Sequence, residues 1–145
     1  MAKINLNIDL CEQLRKKVNE YQHYSITKTH SIAKDNKNNR GWEKICAIMD
    51  RIDDTVFYLN SLELKKEINR TAIFDFYNFM NHAASLIDCI KFLGEIYDYN
   101  FEEENKHTDI FNQLGKTGHG TDKDYFEYLR SLCSVHPIET SHHPE

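Results

Sequence analysis

Near the end of the chain, the stretch EYLRSLCSVHP (residues 127–137) sets an arginine, Arg130, six positions ahead of a histidine, His136. Pro137 disfavours the helical conformation at His136, so the helix carrying Arg130 should end near Ser134 or Val135. His136 can then curl back toward Arg130 and Ser134, which lie on one helical face a turn apart. A permanent cation, a hydroxyl and an imidazole would meet at one helix end. The guanidinium can hold a phosphate through two parallel hydrogen bonds and stabilise the charge that builds during phosphoryl transfer. The imidazole, which titrates near neutrality, can move the proton of a ribose 2′-hydroxyl or of a leaving oxygen. The pair has the parts for RNA cleavage without a metal, leaving a 2′,3′-cyclic phosphate. The competing reading is plain: Arg130 as a surface cation paired with Glu127, and His136 as a loop residue.

Other signals point nowhere. Gly115-Lys116-Thr117 looks like the end of a phosphate loop, but Ile110 stands where that loop needs its first glycine, and the segment before it reads as helix rather than strand. Eight histidines occur without an HExxH, so no metal is expected. The four cysteines, Cys11, Cys46, Cys89 and Cys133, are far apart and sit among apolar residues, as reduced core thiols of a cytoplasmic protein would.

The elements that would position Arg130 and His136 read as helices. The chain has 145 residues, five glycines and two prolines, and long stretches free of either. A first helix is expected from Asp9 to about Tyr24, with Leu10, Leu14, Val18 and Tyr21 inward. Residues 27–41, rich in Asn and Lys, read as a mobile polar loop. A second helix, from about Gly41 to Leu62, carries Trp42, Ile45, Met49, Ile52, Val56 and Leu59 at alternating spacings of three and four. A third and longest, from about Thr71 to Tyr97, has an apolar line through Ile73, Phe76, Met80, Ala83, Ile87, Ile90 and Gly94. More apolar residues flank that line, which marks the helix as central. It also carries a polar strip, Asn78, Asn81, Ser85 and Asp88, fit for solvent, a partner or a site; His82 borders it and reads as structural. After an acidic link at 99–107, a short helix is expected near Thr108–Leu114. The last helix is capped by Thr121 or Asp122, with Tyr125, Leu129, Leu132 and Cys133 inward. The fold class is therefore all-α: a four- to five-helix bundle with a long central helix, in one domain over 1–145 that could equally be the N-terminal part of a longer protein.

An arginine, a polar residue and a histidine at the end of a late helix in a small all-α domain resembles the HEPN superfamily. Its motif is an arginine, four to six further residues, then a histidine; here five intervene and the residue after Arg130 is Ser131, where the family favours Asn, Asp or His. The resemblance implies a metal-independent ribonuclease, or a degenerate relative, from a toxin–antitoxin or phage-defence setting. It implies a homodimer whose two motifs share one cleft, an RNA substrate, and an antitoxin or other protein partner. Arg130 would bind phosphate, His136 would transfer protons, Ser131 would take the polar position, and Asn81, Ser85 or Asp88 would orient them, with no cofactor. The lysines and arginine of the polar loop, Lys34, Lys37 and Arg40 with Lys28 and Lys44 beside them, would gather RNA by charge. The alternative is a noncatalytic helical adaptor or inhibitor that binds a partner protein. The net charge of −5 does not fit a nonspecific nucleic-acid binder, no segment is apolar enough to cross a membrane, and no helix reads as a DNA-recognition helix.

Overall fold

Asn7 opens the first helix by accepting a hydrogen bond from the Asp9 N–H at 3.0 Å, which satisfies one of the donors a helix start leaves open. In the computed structural model, which describes residues 2–32, 41–64, 70–104, 106 and 120–131, that helix is α1 (Ile8–Glu20). It is followed by α2 (Gln22–Ile32), α3 (Gly41–Ser61), α4 (Arg70–Ile96), the single turn α5 (Phe101–Glu104) and α6 (Asp122–Arg130). Two-residue strands, β1 (Ala2–Lys3) and β2 (Glu63–Leu64), pair antiparallel, Ala2 opposite Leu64. Asn60 extends that pairing through its side chain. Its Oδ1 accepts from the Leu6 N–H at 2.6 Å and its Nδ2 donates to the Leu6 carbonyl at 2.9 Å. The architecture is an all-α bundle organised around two long helices, α3 and α4, and no helix among the described residues is long and apolar enough to cross a membrane.

The second expected helix matches α3 closely. Ile45, Met49, Ile52, Val56 and Leu59 are buried, and Trp42 packs half-buried against the same core. The core continues into Cys11 and Val18 of α1 and into Leu93 and Ile96 of α4. Burial pushes the Cys11 and Cys89 thiols up, away from the thiolate that would make them reactive.

The faces of α1 and α4 need correction. Leu10 and Tyr21, expected inward on the first helix, are 59% and 57% exposed; Val18 is buried and Leu14 half-buried against the core as expected, with Cys11 buried in place of Leu10. On α4, Ile73, Phe76 and Ile90 are exposed; Met80 and Gly94 of the expected line are buried, together with Ala84, Leu93 and Ile96. At 3.6 residues per turn, Met80 and Ala84 point about half a turn away from Leu93 and Ile96. The helix thus buries these side chains on opposite sides in its middle and near its C-terminal end, which no single three-four repeat describes. That arrangement also makes it central.

The polar loop expected at 27–41 is helical over its first six residues, the end of α2, and residues 33–40 lie outside the described part. No apolar stripe marks this helix because polar contacts hold it. Ser25, fully buried, donates from Oγ to the Tyr21 carbonyl at 2.9 Å and shares a short hydrogen bond with the Tyr97 hydroxyl. Lys28 Nζ bonds both Asp98 carboxylate oxygens, at 2.9 and 2.8 Å, and the Tyr24 hydroxyl donates to the same carboxylate at 3.0 Å.

Asp98 has φ 57°, the left-handed position that ends many helices. The Tyr99 N–H closes onto the Gly94 carbonyl at 2.9 Å, the six-to-one bond of a Schellman turn. A Cβ at Gly94 would come within 2.9 Å of the Tyr99 carbonyl oxygen, so the turn needs glycine there. The hydrogen bond from Lys28, and then that from Tyr24, hold the Asp98 carboxyl below its ordinary value. A carboxylate depressed in the folded state contributes stability at neutral pH and loses it as pH falls through the lowered value. Asp98→Asn is therefore expected to flatten the acid limb of a stability–pH profile measured by urea unfolding, with little change in its slope at neutral pH.

Candidate functional site

The helix that carries Arg130 is started by a complete capping box. The Thr121 Oγ1 accepts from the Asp124 N–H at 3.1 Å, and the Asp124 carboxylate accepts from the Thr121 N–H at 3.0 Å. The sequence reading left Thr121 and Asp122 open; the cap is Thr121. Thr121→Ala is expected to cost about 1 kcal/mol, read as faster amide exchange in α6 with the α3 amides unchanged.

α6 packs on α4. Its Tyr125 and Leu129, expected inward, are half-buried like most of α6, while Leu132 and Cys133 lie outside the described residues. The Glu127 carboxylate lies 3.5 Å from Lys123 and 3.9 Å from Lys91, and Lys91 also sits 5.5 Å above the Phe101 ring. Glu127, the partner that the plain surface reading assigns to Arg130, lies between Lys123 of its own helix and Lys91 of α4.

Arg130 closes α6. It is half-buried, and its Nε is sealed from solvent. Ser131 caps the helix C-terminus, and its Oγ donates to the Tyr128 carbonyl at 2.7 Å. The hydroxyl in the polar position of the motif therefore bonds to the helix end next to Arg130. The described residues bring Arg130 and Ser131 to one end of α6, on a helix docked against the one bearing Asn81, Ser85 and Asp88. Asn81 and Asp88 are exposed and Ser85 is half-buried, so the polar strip of α4 runs along the surface. His136, Ser134, Lys34, Lys37 and Arg40 lie outside the described residues, as does the short helix expected at 108–114. Lys28, grouped with the RNA-gathering cations, is held by Asp98 instead. Lys44 is exposed in the first turn of α3.

The chain alone did not reveal a contact that borders the strip. The His82 ring stacks on Tyr58 of α3, with centroids 4.2 Å apart and planes 29° from parallel. Its Nδ1 lies 2.8 Å from the Asn78 carbonyl oxygen. A carbonyl oxygen only accepts, so Nδ1 carries the hydrogen. The sequence signal was the four-residue step from Asn78 to His82; Tyr58, on another helix, gave none.

Grooves also open elsewhere among the described residues. One, of about 350 Å³, lies between α1 and the end of α4 and is lined by Leu14, Tyr21, Ile90, Tyr97 and Tyr99. Another, of about 460 Å³, lies between α1 and α3 around Ile8 and Phe57; on its wall Arg15 forms ion pairs with Asp50 and Asp53. Among the described residues, no three His, Cys, Asp or Glu side chains gather as a metal site would require. The chain matches no protein-family model, and no curated protein or solved structure matches it.

Proposed function

We propose that the protein is a HEPN-like, metal-independent endoribonuclease, or a degenerate relative of one, of the toxin or phage-defence type, working in the cytoplasm as a homodimer. The observation that carries this reading is Arg130, half-buried at the end of a capped helix docked on the central one, with His136 six positions on. In this mechanism the guanidinium of Arg130 binds the scissile phosphate and stabilises the charge of the transition state. The imidazole of His136 takes the 2′-hydroxyl proton as the 2′-oxygen attacks phosphorus. The bond from phosphorus to the 5′-oxygen breaks, and the leaving oxygen receives a proton from the second histidine of the dimer. The products are a 2′,3′-cyclic phosphate and a 5′-hydroxyl. Lys34, Lys37 and Arg40 supply the charge that draws in RNA.

The test is RNA cleavage in EDTA by wild type and by His136→Ala at matched thermal stability. Cleavage by the wild type alone supports the reading, and equal cleavage by both rejects it.

A second reading, a noncatalytic adaptor or inhibitor that binds a protein such as an antitoxin, is favoured by the exposed apolar side chains. Phe57 is 72% exposed and Phe74 65% exposed, an unusual degree for phenylalanine on packed helices. Under that reading, partner binding survives Arg130→Ala and fails with Phe57→Ala or Phe74→Ala.

A further inference from the structure

α1 and α3 leave a trough between them that neither fills. Ile8 and Cys11 line it from α1, and Val56 and Phe57 line it from α3. Cys11 and Val56 are buried and make its floor, while Ile8 and Phe57 stand as walls, 50% and 72% exposed. Walls this open do not enclose a small molecule, which is normally covered over most of its surface when bound. Large apolar side chains held in solvent around one trough suit a protein segment instead.

The rim selects that segment by charge. Glu12, Asp53 and Asp54 border the trough together with Arg15. The Arg15 guanidinium is taken up by Asp50 and Asp53. The rim therefore sets four carboxylates against one cation, and among the described residues Glu12 and Asp54 join no ion pair. Lys16, a turn beyond Glu12, does not line the trough. A rim of this sign repels phosphate and attracts Lys and Arg, which argues against nucleic acid or an anionic membrane as the occupant. The shape adds a second restriction. Ile8, Cys11 and Arg15 follow one another at i, i+3 and i+7 on α1, and Asp53, Val56 and Phe57 at i, i+3 and i+4 on α3. Ridges at those spacings receive a third helix, whose own side chains three and four residues apart fill the groove.

We propose that the trough between α1 and α3 is the docking site for a cationic amphipathic helix of a partner protein. Its apolar residues seat between Ile8 and Phe57, and its flanking Lys or Arg residues meet Glu12 and Asp54. The proposal rests on the partner-binding reading above and names the partner's chemistry. It does not depend on RNA cleavage, because the trough is built from α1 and α3 and Arg130 lies on α6.

The experiment is fluorescence anisotropy of two labelled model helices titrated with the full chain. Both carry leucines at i, i+3, i+4 and i+7; one has lysines on the flanking positions and the other glutamates. The lysine helix is expected to bind, and the glutamate helix to bind about tenfold more weakly. Phe57→Ala should weaken the lysine helix about tenfold, since it removes a central apolar anchor. Glu12→Lys combined with Asp54→Lys, both at the surface, should reverse the order of the two helices. Arg130→Ala and Phe74→Ala should change neither. Equal binding of the two helices, binding of neither, or an order that survives the double charge reversal in a protein of unchanged melting temperature overturns the proposal. Binding of the lysine helix that is lost in Phe74→Ala and kept in Phe57→Ala also overturns the trough, but leaves the partner-binding reading standing with its surface on α4.

Discussion

Arg130→Ala is expected to lower RNA cleavage by about 10²–10³-fold while the protein stays folded, because it removes the one cation the motif aims at the phosphate. Arg130→Lys should recover little of that loss: an ammonium is a point charge and cannot hold two phosphate oxygens in parallel. His136→Ala should cost about 10²–10⁴-fold, the usual contribution of a positioned proton-transfer group. The two losses should not multiply in the double variant, since both groups act on one transition state. Arg130 is half-buried on α6, so each variant needs its melting temperature beside its rate. A rate that falls only in proportion to the folded fraction would make Arg130 a packing residue.

The largest expected stability effect lies far from that site. Ile45 is 0% exposed and sits in the cluster that joins α1, α3 and the end of α4. Ile45→Ala removes the side chain around which three helices pack, and the rigid bundle can close the gap only in part. The expected cost is about 2–5 kcal/mol. It should appear as a fall in the urea midpoint at unchanged slope, because the surface exposed on unfolding is nearly the same. Phe57→Ala is the contrasting case. Its ring is larger but 72% exposed, and the expected change is within about 0.5 kcal/mol. A large loss at Phe57 with a small one at Ile45 would mean that the core lies elsewhere.

How far the sequence could be read varies along the chain for physical reasons. α3 was legible because one face packs along its whole length, so its three-four repeat names the buried residues directly. α4 was legible as a long central helix but not in its faces. Met80 and Ala84 turn one way and Leu93 and Ile96 the other, which misplaced Ile73, Phe76 and Ile90. α2 was read in part as loop because a buried serine, Tyr24 and Lys28 hold it through hydrogen bonds rather than an apolar stripe. At the candidate site, the spacing of Arg130 and His136 could be read within one segment, and the cap at Thr121 was one of two choices. The stack of His82 on Tyr58 joins two helices and leaves no local pattern.

The claim at the centre of this account is that Arg130 and His136 cleave RNA through its own 2′-hydroxyl. The most direct measurement is end-group analysis of a single-stranded RNA incubated with the protein in EDTA, beside the same strand made 2′-deoxy at the cut position. The account predicts a 2′,3′-cyclic phosphate and a 5′-hydroxyl from the first strand and no cut in the second. Cleavage of the 2′-deoxy strand at that position, or a 5′-phosphate product that forms only with a divalent metal, would contradict it.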